Sequence, residues 1–417
     1  MAKKTETRTS RRSGKGSKPV SRDARRREKR ARDGVTHIKV IGVGGAGGNI
    51  ISRMKEHYRI RGVEYIAVNT DAQDLEQVSA HRKINIGRAL TKGLGAGMNP
   101  EIGKQAAEEN RSEIGEMLEG GDIVFVVAGL GGGTGSGAAP VIASIARQKG
   151  VLTIGVITKP FQFEGTRRMT IAQEAVERLR DNIDALVIVP NERVFSVIDR
   201  EMPVLKAFAV VDEVVKNGVC AIAELINVPG IINVDFADVD AILRDRGVSL
   251  IGIGCASGKD RAARAVQAAV NSPLLEASIE GAKSVLFSVA GGRDLTMSEV
   301  HSIAKSIVAN LDPNAQIIFG AYFDRSLKEK ELKVTVIAAG FNHFLTGGKT
   351  VTVPHLFIDG TEEEHLSETV EIIEPEAEVE VKPKNGKEKK LRTVKNEVAA
   401  RGDEHWEIPA FLRKKRK

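Results

Sequence analysis

The stretch that decides the fold is Asp122-Ile123-Val124-Phe125-Val126-Val127-Ala128-Gly129-Leu130-Gly131-Gly132-Gly133-Thr134-Gly135-Ser136-Gly137. Its first half is an apolar run of strand length, and residues 138–149 behind it read as a helix. Glycines at this density remove the Cβ atoms that keep a backbone away from a bulky anion. A helix start adds free N–H groups and the positive end of a dipole. The run is a phosphate cradle. It is not a P-loop, which needs a lysine after the last glycine. Gly347-Gly348-Lys349-Thr350 comes nearest to that pattern, but His343 stands where its first glycine should be.

On either side, short apolar runs alternate with amphipathic ones. Strands are expected at Ile38–Ile41, Tyr65–Asn69, Ile123–Ala128, Leu152–Thr158 and Ala185–Val189, with helices at Gly47–His57, Glu101–Leu118, Ser136–Lys149 and Arg168–Arg180. This alternation implies a parallel, doubly wound sheet that binds its ligand at the carboxyl ends of the strands. Two more glycine-rich turns fall at such ends. Gly42-Val43-Gly44-Gly45-Ala46-Gly47-Gly48-Asn49 follows the first strand, and Gly93-Leu94-Gly95-Ala96-Gly97 precedes Asn99-Pro100. Gly42, Gly44 and Gly47 also fit the dinucleotide fingerprint, and Asn69-Thr70-Asp71 stands near the spacing of its ribose-binding acid. Several cradles facing one crevice suit a triphosphate better than a pyrophosphate.

Composition narrows the class. No run approaches the ~20 apolar residues of a membrane span. The basic start has no apolar region behind it and is not read as a secretory signal. Cys220 and Cys255 read as small core residues of a reducing, cytoplasmic protein. Residues 1–35 hold fourteen Lys/Arg against four Asp/Glu, so the rest of a chain of net charge +7 is mildly acidic. That arm is expected to be disordered, either as a solubilising tail or as a contact for acidic lipid or nucleic acid.

A long helix is expected from Pro203 to Ile226, where Val204, Phe208, Val211, Val215, Val219, Ile222 and Ile226 repeat at three or four. A second, smaller α/β unit follows, with strands at Leu250–Gly254, Ser284–Ala290, Gln316–Ala321 and Leu332–Ala338. Asn233-Val234-Asp235-Phe236-Ala237-Asp238 opens a helix. Asp235 and Asp238 suit a helix cap first of all, and the rival reading is a pair that activates water. The long helix carries them ~30 Å from the glycine loops, so a second molecule stacked head to tail would have to bring them back. Beyond residue 360 an acidic block and then a basic block read as a disordered linker. Trp406-Glu407-Ile408-Pro409-Ala410-Phe411-Leu412-Arg413 reads as a docking peptide.

Together these segments closely resemble the FtsZ family, bacterial and archaeal relatives of tubulin. Gly131–Gly137 is similar to the tubulin-type signature loop, and Ile408–Arg413 to the FtsZ terminal peptide, over a match that runs from about residue 37 to 358. The resemblance implies a tubulin-like GTPase domain with a parallel sheet, a long central helix, a second smaller α/β domain and disordered tails. The segments are then a basic arm (1–35), a GTP-binding domain (36–200), the central helix (201–227), a second domain (228–358), a linker (359–402) and a docking peptide (403–417). It implies GTP hydrolysis with Mg²⁺, head-to-tail polymerisation in the division ring, and membrane-tethering or regulatory partners for the terminal peptide.

By the same resemblance, Gly44, Gly45, Ala46, Gly47, Gly48 and Asn49, with Gly133, Thr134 and Gly135, would hold phosphates. Asn69 and Asp71 would line the site, and Gly95 and Gly97 would close over the γ-phosphate. Glu164 and Arg168 would meet the ribose, and Asn191, Phe208 and Asp212 the guanine. Asn233, Asp235 and Asp238 would act on the neighbouring subunit's γ-phosphate. Two departures stand out: Met98 where the family commonly has glycine, and the long basic arm. The rival readings are a dinucleotide-dependent oxidoreductase and a non-catalytic nucleotide-regulated scaffold of the same fold.

Overall fold

A computed structural model describes residues 35–341, apart from 58–59, 61, 197, 199–200, 229, 273–278, 310 and 325–326. The basic arm, the charged linker and the terminal peptide lie outside the described residues.

The chain opens with β1 (Ile38–Val43), α1 (Gly44–His57), β2 (Val63–Asn69), α2 (Ala72–Gln77), β3 (Arg82–Asn85), α3 (Arg88–Thr91), α4 (Pro100–Glu109) and α5 (Arg111–Leu118). It continues with β4 (Ile123–Gly129), α6 (Gly133–Gln148), β5 (Leu152–Lys159), α7 (Thr166–Arg180) and β6 (Ala185–Pro190). The long helix α8 (Val204–Asn227) leads to α9 (Phe236–Leu243), β7 (Gly247–Ser257), α10 (Arg261–Val270), β8 (Ser284–Gly291), α11 (Met297–Val308), β9 (Gln316–Phe323) and β10 (Glu331–Ala339).

The ten strands among the described residues join in one sheet of order β3-β2-β1-β4-β5-β6-β7-β10-β8-β9. The six N-terminal strands are parallel. The second unit is not a separate sheet: β7 continues the first in parallel through Ala185↔Gly247, Leu186↔Val248 and Val187↔Ser249, and β10 then turns the ladder antiparallel. Side chains alternate across the sheet, as the period of two requires. Ile38, Val40 and Phe125 pack with Ile50, Met54, Val215, Val219 and Ile222 of α1 and α8. Ile41, Val43, Val124 and Val126 pack with Ile114, Ala138, Ile142 and Val176 of α5, α6 and α7. A third cluster joins α10 and α11 to β8 and β10.

Local chemistry explains most boundaries. Asn99 caps α4 by accepting from the Glu101 N–H (3.0 Å), with Pro100 at the first helical position. The single helix expected over 101–118 is two, because Asn110 leaves the helical conformation (φ −98°, ψ 22°) and turns its side-chain oxygen to the Gly87 N–H at 2.9 Å. Helices α1 and α6 start three residues earlier than their sequence suggested, inside the glycine turns themselves. Cys220 is buried as expected, but Cys255 is exposed on β7, whose far end alternates outward. Among the described residues no helix is long and apolar enough to cross a membrane.

Candidate nucleotide site

The strand order reverses at β1, which runs between β2 and β4. A crevice therefore opens at the carboxyl ends of β1 and β4, where crossovers leave to opposite faces. Helices α1 and α6 both start in it. Neither has an acidic residue in its first turn, and the N-cap of α6 is Gly132, which offers no side chain. Their first-turn N–H groups stay available for an anion. Gly44 sits at φ +71°, a conformation that favours glycine, and packs against Gly135 N. The two turns are thus one surface. Gly45, Gly47 and Gly48 follow in α1, with Ala46 and Asn49 exposed.

The third glycine loop closes onto the same surface. A Cβ on Gly133 would fall well inside contact with the Gly97 carbonyl oxygen, so the two loops touch backbone to backbone. Gly95 N–H donates to Thr70 O (3.3 Å) and Ala72 N–H to Gly93 O (3.0 Å). Asp71 pairs with Leu94 in an isolated bridge. Met98 is exposed beside Gly97, with no backbone strain of its own.

Asp71 caps α2, accepting from the Gln73 N–H (2.9 Å) and the Asp74 N–H (3.0 Å). Asn69 is buried and donates to Asp74 Oδ2 at 2.7 Å. Burial first, and the Asp71 charge second, push the Asp74 carboxyl above the usual carboxylate range, while the Asn69 hydrogen bond pulls it down. Thr134 shares a 2.7 Å hydrogen bond with Thr70, whose side chain is fully buried.

At the ends of β5 and β6 lies an aromatic cluster. Phe161 is buried and packs against Phe163 (centroids 4.9 Å apart), Phe195 (5.4 Å) and, edge-on, Phe208 of α8 (5.5 Å). Glu164 accepts the Phe161 N–H at 2.9 Å and the Arg168 guanidinium at 2.8 Å, so the two candidate ribose residues are paired with each other. Gly131 packs on the Arg168 backbone, linking this cluster to the phosphate loop. Asn191 is buried, and its Oδ1 has no protein partner. A donor from outside the chain, water or ligand, would satisfy it. Asp212, one turn beyond Phe208, pairs with Arg53 of α1, and burial pushes it up to about 6 against that pull.

The candidate acids lie elsewhere, beyond the far end of α8. Asp235 Oδ1 accepts the Asp238 N–H (2.9 Å), and Asp238 Oδ2 accepts the Asp235 N–H (3.2 Å), a complete capping box on α9. Asn233 Oδ1 accepts the Gly230 N–H at 2.7 Å. The capping role of these acids is therefore real. Asn233 and Asp235 remain exposed, and Asp238 is half-buried.

Thr70, Asp74, Ser136 and Arg53 were not singled out from sequence. Ser136 accepts the Gly131 N–H (2.9 Å) and pins the glycine loop. A hydroxyl so placed was legible in the loop itself. The Arg53–Asp212 pair spans 159 positions and leaves no local signal.

Residues 37–199 match the Tubulin/FtsZ family GTPase domain, and residues 247–342 match the FtsZ family C-terminal domain. An empty FtsZ dimer from M. jannaschii is 44% identical, with 77% of this chain and 93% of that one covered at a TM-score of 0.71. A mutant form of M. jannaschii FtsZ is also 44% identical, with 77% of this chain and 96% of that one covered at a TM-score of 0.72. CetZ2 from Haloferax volcanii, a GTPγS-bound protofilament, is 24% identical over 73% of this chain and 92% of that one at 0.62, which speaks for the fold alone. With its crevice, its glycine loops and both halves matched, the chain belongs to the FtsZ family of tubulin-like GTPases.

Proposed function

We propose that the crevice binds GTP, that the protein assembles head to tail, and that hydrolysis occurs where one subunit's acids meet the next subunit's nucleotide. The observation that carries this reading is the meeting of α1, α6 and the Gly93–Asn99 loop in one anion cradle whose acids lie a helix length away. Gly44–Asn49 and Gly133–Gly135 hold the phosphates, and Gly95 and Gly97 cover the outermost one. Glu164 and Arg168 exchange their mutual pair for ribose hydroxyls. Asn191, Phe208 and Asp212 take the guanine, an amide and a carboxylate matching a base with both acceptors and donors.

Among the described residues no group of three or more His, Cys, Asp and Glu could hold a metal unaided. Mg²⁺ brought in with the nucleotide would neutralise charge on the transferring γ-phosphoryl group. Asn233, Asp235 and Asp238 of the adjoining subunit orient the attacking water, and Asp238 or Asp235 takes its proton. A heterologous contact of this kind generates open filaments. Family membership removes the oxidoreductase reading. In the same proposal, the protein works in the cytoplasm at the division site, and residues 408–413 dock to tethering or regulatory proteins. Phe411→Ala then weakens capture of such partners while leaving sedimentation of the purified filament unchanged. An assembly defect in that variant would remove the docking role.

The deciding experiment is GTP turnover with Mg²⁺ over a range of protein concentrations. A shared site gives almost no activity below a threshold and a linear rise above it. A constant rate per molecule would mean a self-contained site. Nucleotide binding without turnover at any concentration would favour the scaffold.

A further inference from the structure

Arg53 lies in the second half of α1, beyond the glycine-rich turn that starts the helix, and its side chain reaches Asp212 on α8. Asp212 is the more deeply placed partner, with 16% of its side chain exposed against 42% for Arg53. Helix α8 packs against α1, β5, β6 and the turn at Asn191–Ser196. On that turn, Glu192 is engaged by the Gln162 N–H at 3.0 Å, with Arg193 beside it in sequence. On α1, Lys55 donates to Ala80 O at 2.8 Å, and Glu56 follows it. On α8, Glu213 and Lys216 pair at 3.1 Å, and Lys206 lies nearer its start. β5 brings Lys159, and β6 has no charged residue. Arg53 is the charge that bonds Asp212.

An ionised carboxylate only accepts hydrogen bonds, whereas its protonated form must also donate one. Guanine presents two adjacent donors, N1–H and the 2-amino group, and needs the ionised form. Resting on the GTP-site reading above, we propose that Arg53 is a positioning residue for base recognition, holding the Asp212 carboxylate ionised and aimed from the helix that also binds the phosphates. The two ends of the nucleotide are then read by one helix, α1, directly at the phosphates and through Asp212 at the base.

Burial is the largest influence on Asp212 and pushes it up to about 6, with the Arg53 charge and hydrogen bond opposing it. Without Arg53 the carboxyl would rise further, into the range where it is protonated at neutral pH. Guanine binding is present above this pKa and lost below it.

The test is GDP and inosine diphosphate affinity by calorimetry from pH 5 to 8.5, on the full chain and on Arg53→Leu, Arg53→Lys and Asp212→Asn. Protonation of the nucleotide's own phosphate is common to all four proteins, so Asp212→Asn serves as the baseline. The unaltered chain is expected to lose its preference for GDP over inosine diphosphate as pH falls through about 6. Arg53→Leu should move that midpoint up by about a unit, weakening GDP about twofold at pH 7 and about fivefold at pH 6, with recovery at pH 8.5. Arg53→Lys should restore most of it. A midpoint unmoved in Arg53→Leu, or a uniform loss at every pH, would overturn the positioning role. If Arg53→Leu fails to fold, Arg53→Gln, which removes the charge and keeps most of the side chain, carries the test: a raised midpoint supports the role, and an unmoved one overturns it. Absence of guanine nucleotide binding by the unaltered chain would sink the GTP-site reading itself, and this inference with it.

Discussion

At the scale of single residues, neighbouring glycines do different jobs. Gly133 lies where a Cβ would strike the Gly97 carbonyl and come within 2.9 Å of Asn99 O and Ala96 Cβ. Gly132 has φ −95° and nothing within 4 Å of its missing Cβ. Gly133→Ala must push the touching backbones of the two loops apart and is expected to cost about 1–3 kcal/mol of unfolding free energy. Gly132→Ala should leave the urea midpoint unchanged, and under the proposed phosphate role of this loop it should instead weaken nucleotide binding, because its methyl group would stand in open space beside the start of α6. Equal midpoints for the two variants would contradict the loop packing. The density of glycine here was legible from sequence. The division of labour was not, because it depends on Gly97 and Asn99, more than thirty positions away.

At the scale of elements, α10 and α11 are joined by a buried cation. Arg261 is 5% exposed and bonds Asp294 Oδ2 at 2.6 Å and Glu299 Oε1 at 2.6 Å. Glu299 also completes the capping box of α11 with Thr296. The Arg261 guanidinium first, and Thr296 after it, hold the Glu299 carboxyl down at about 2. A carboxyl lowered on folding stabilises fully above its ordinary value of 4.5, and that contribution fades as pH falls toward 2. Glu299→Gln is therefore expected to cost roughly 2 kcal/mol at pH 7, Asp294 still partnering the arginine. The gap from the unaltered chain should narrow steadily below pH 4. A gap independent of pH in denaturant titrations would mean that packing, not charge, is responsible. Every strand expected in this half is found, within a few residues at each end, because β-branched runs bounded by turns are a local signal. Short β3 and the helices α2 and α3 had no such signal. Arg82 and Lys83 give β3 no apolar run, and Ala72–Gln77 is set by the Asp71 cap rather than by periodicity.

At the scale of the whole molecule, α8 is the measure of the mechanism. Its 24 residues separate Phe208 and Asp212, the proposed base contacts near its start, from Asp235 and Asp238 beyond its end, and a helix of that length rises roughly 36 Å. The helix and the acids were both legible in the sequence, which left two roles open for the acids, and the capping box satisfies only one of them. The two roles separate chemically. Asn at position 238 keeps an oxygen that can accept the Asp235 N–H, so the cap survives while the negative charge is lost. Ala at 238 loses both. If the acids act on a neighbour's γ-phosphate, Asp238→Asn and Asp238→Ala should both bind GTP and sediment as filaments, yet turn it over at least about a hundredfold more slowly. Their filaments, retaining the γ-phosphate at each junction, should also outlast those of the unaltered chain after GTP is exhausted in solution. Turnover preserved in Asp238→Asn and lost only in Asp238→Ala would assign the residue to the helix cap. The shared-site mechanism would then have to rest on Asp235 and Asn233, both more exposed than Asp238.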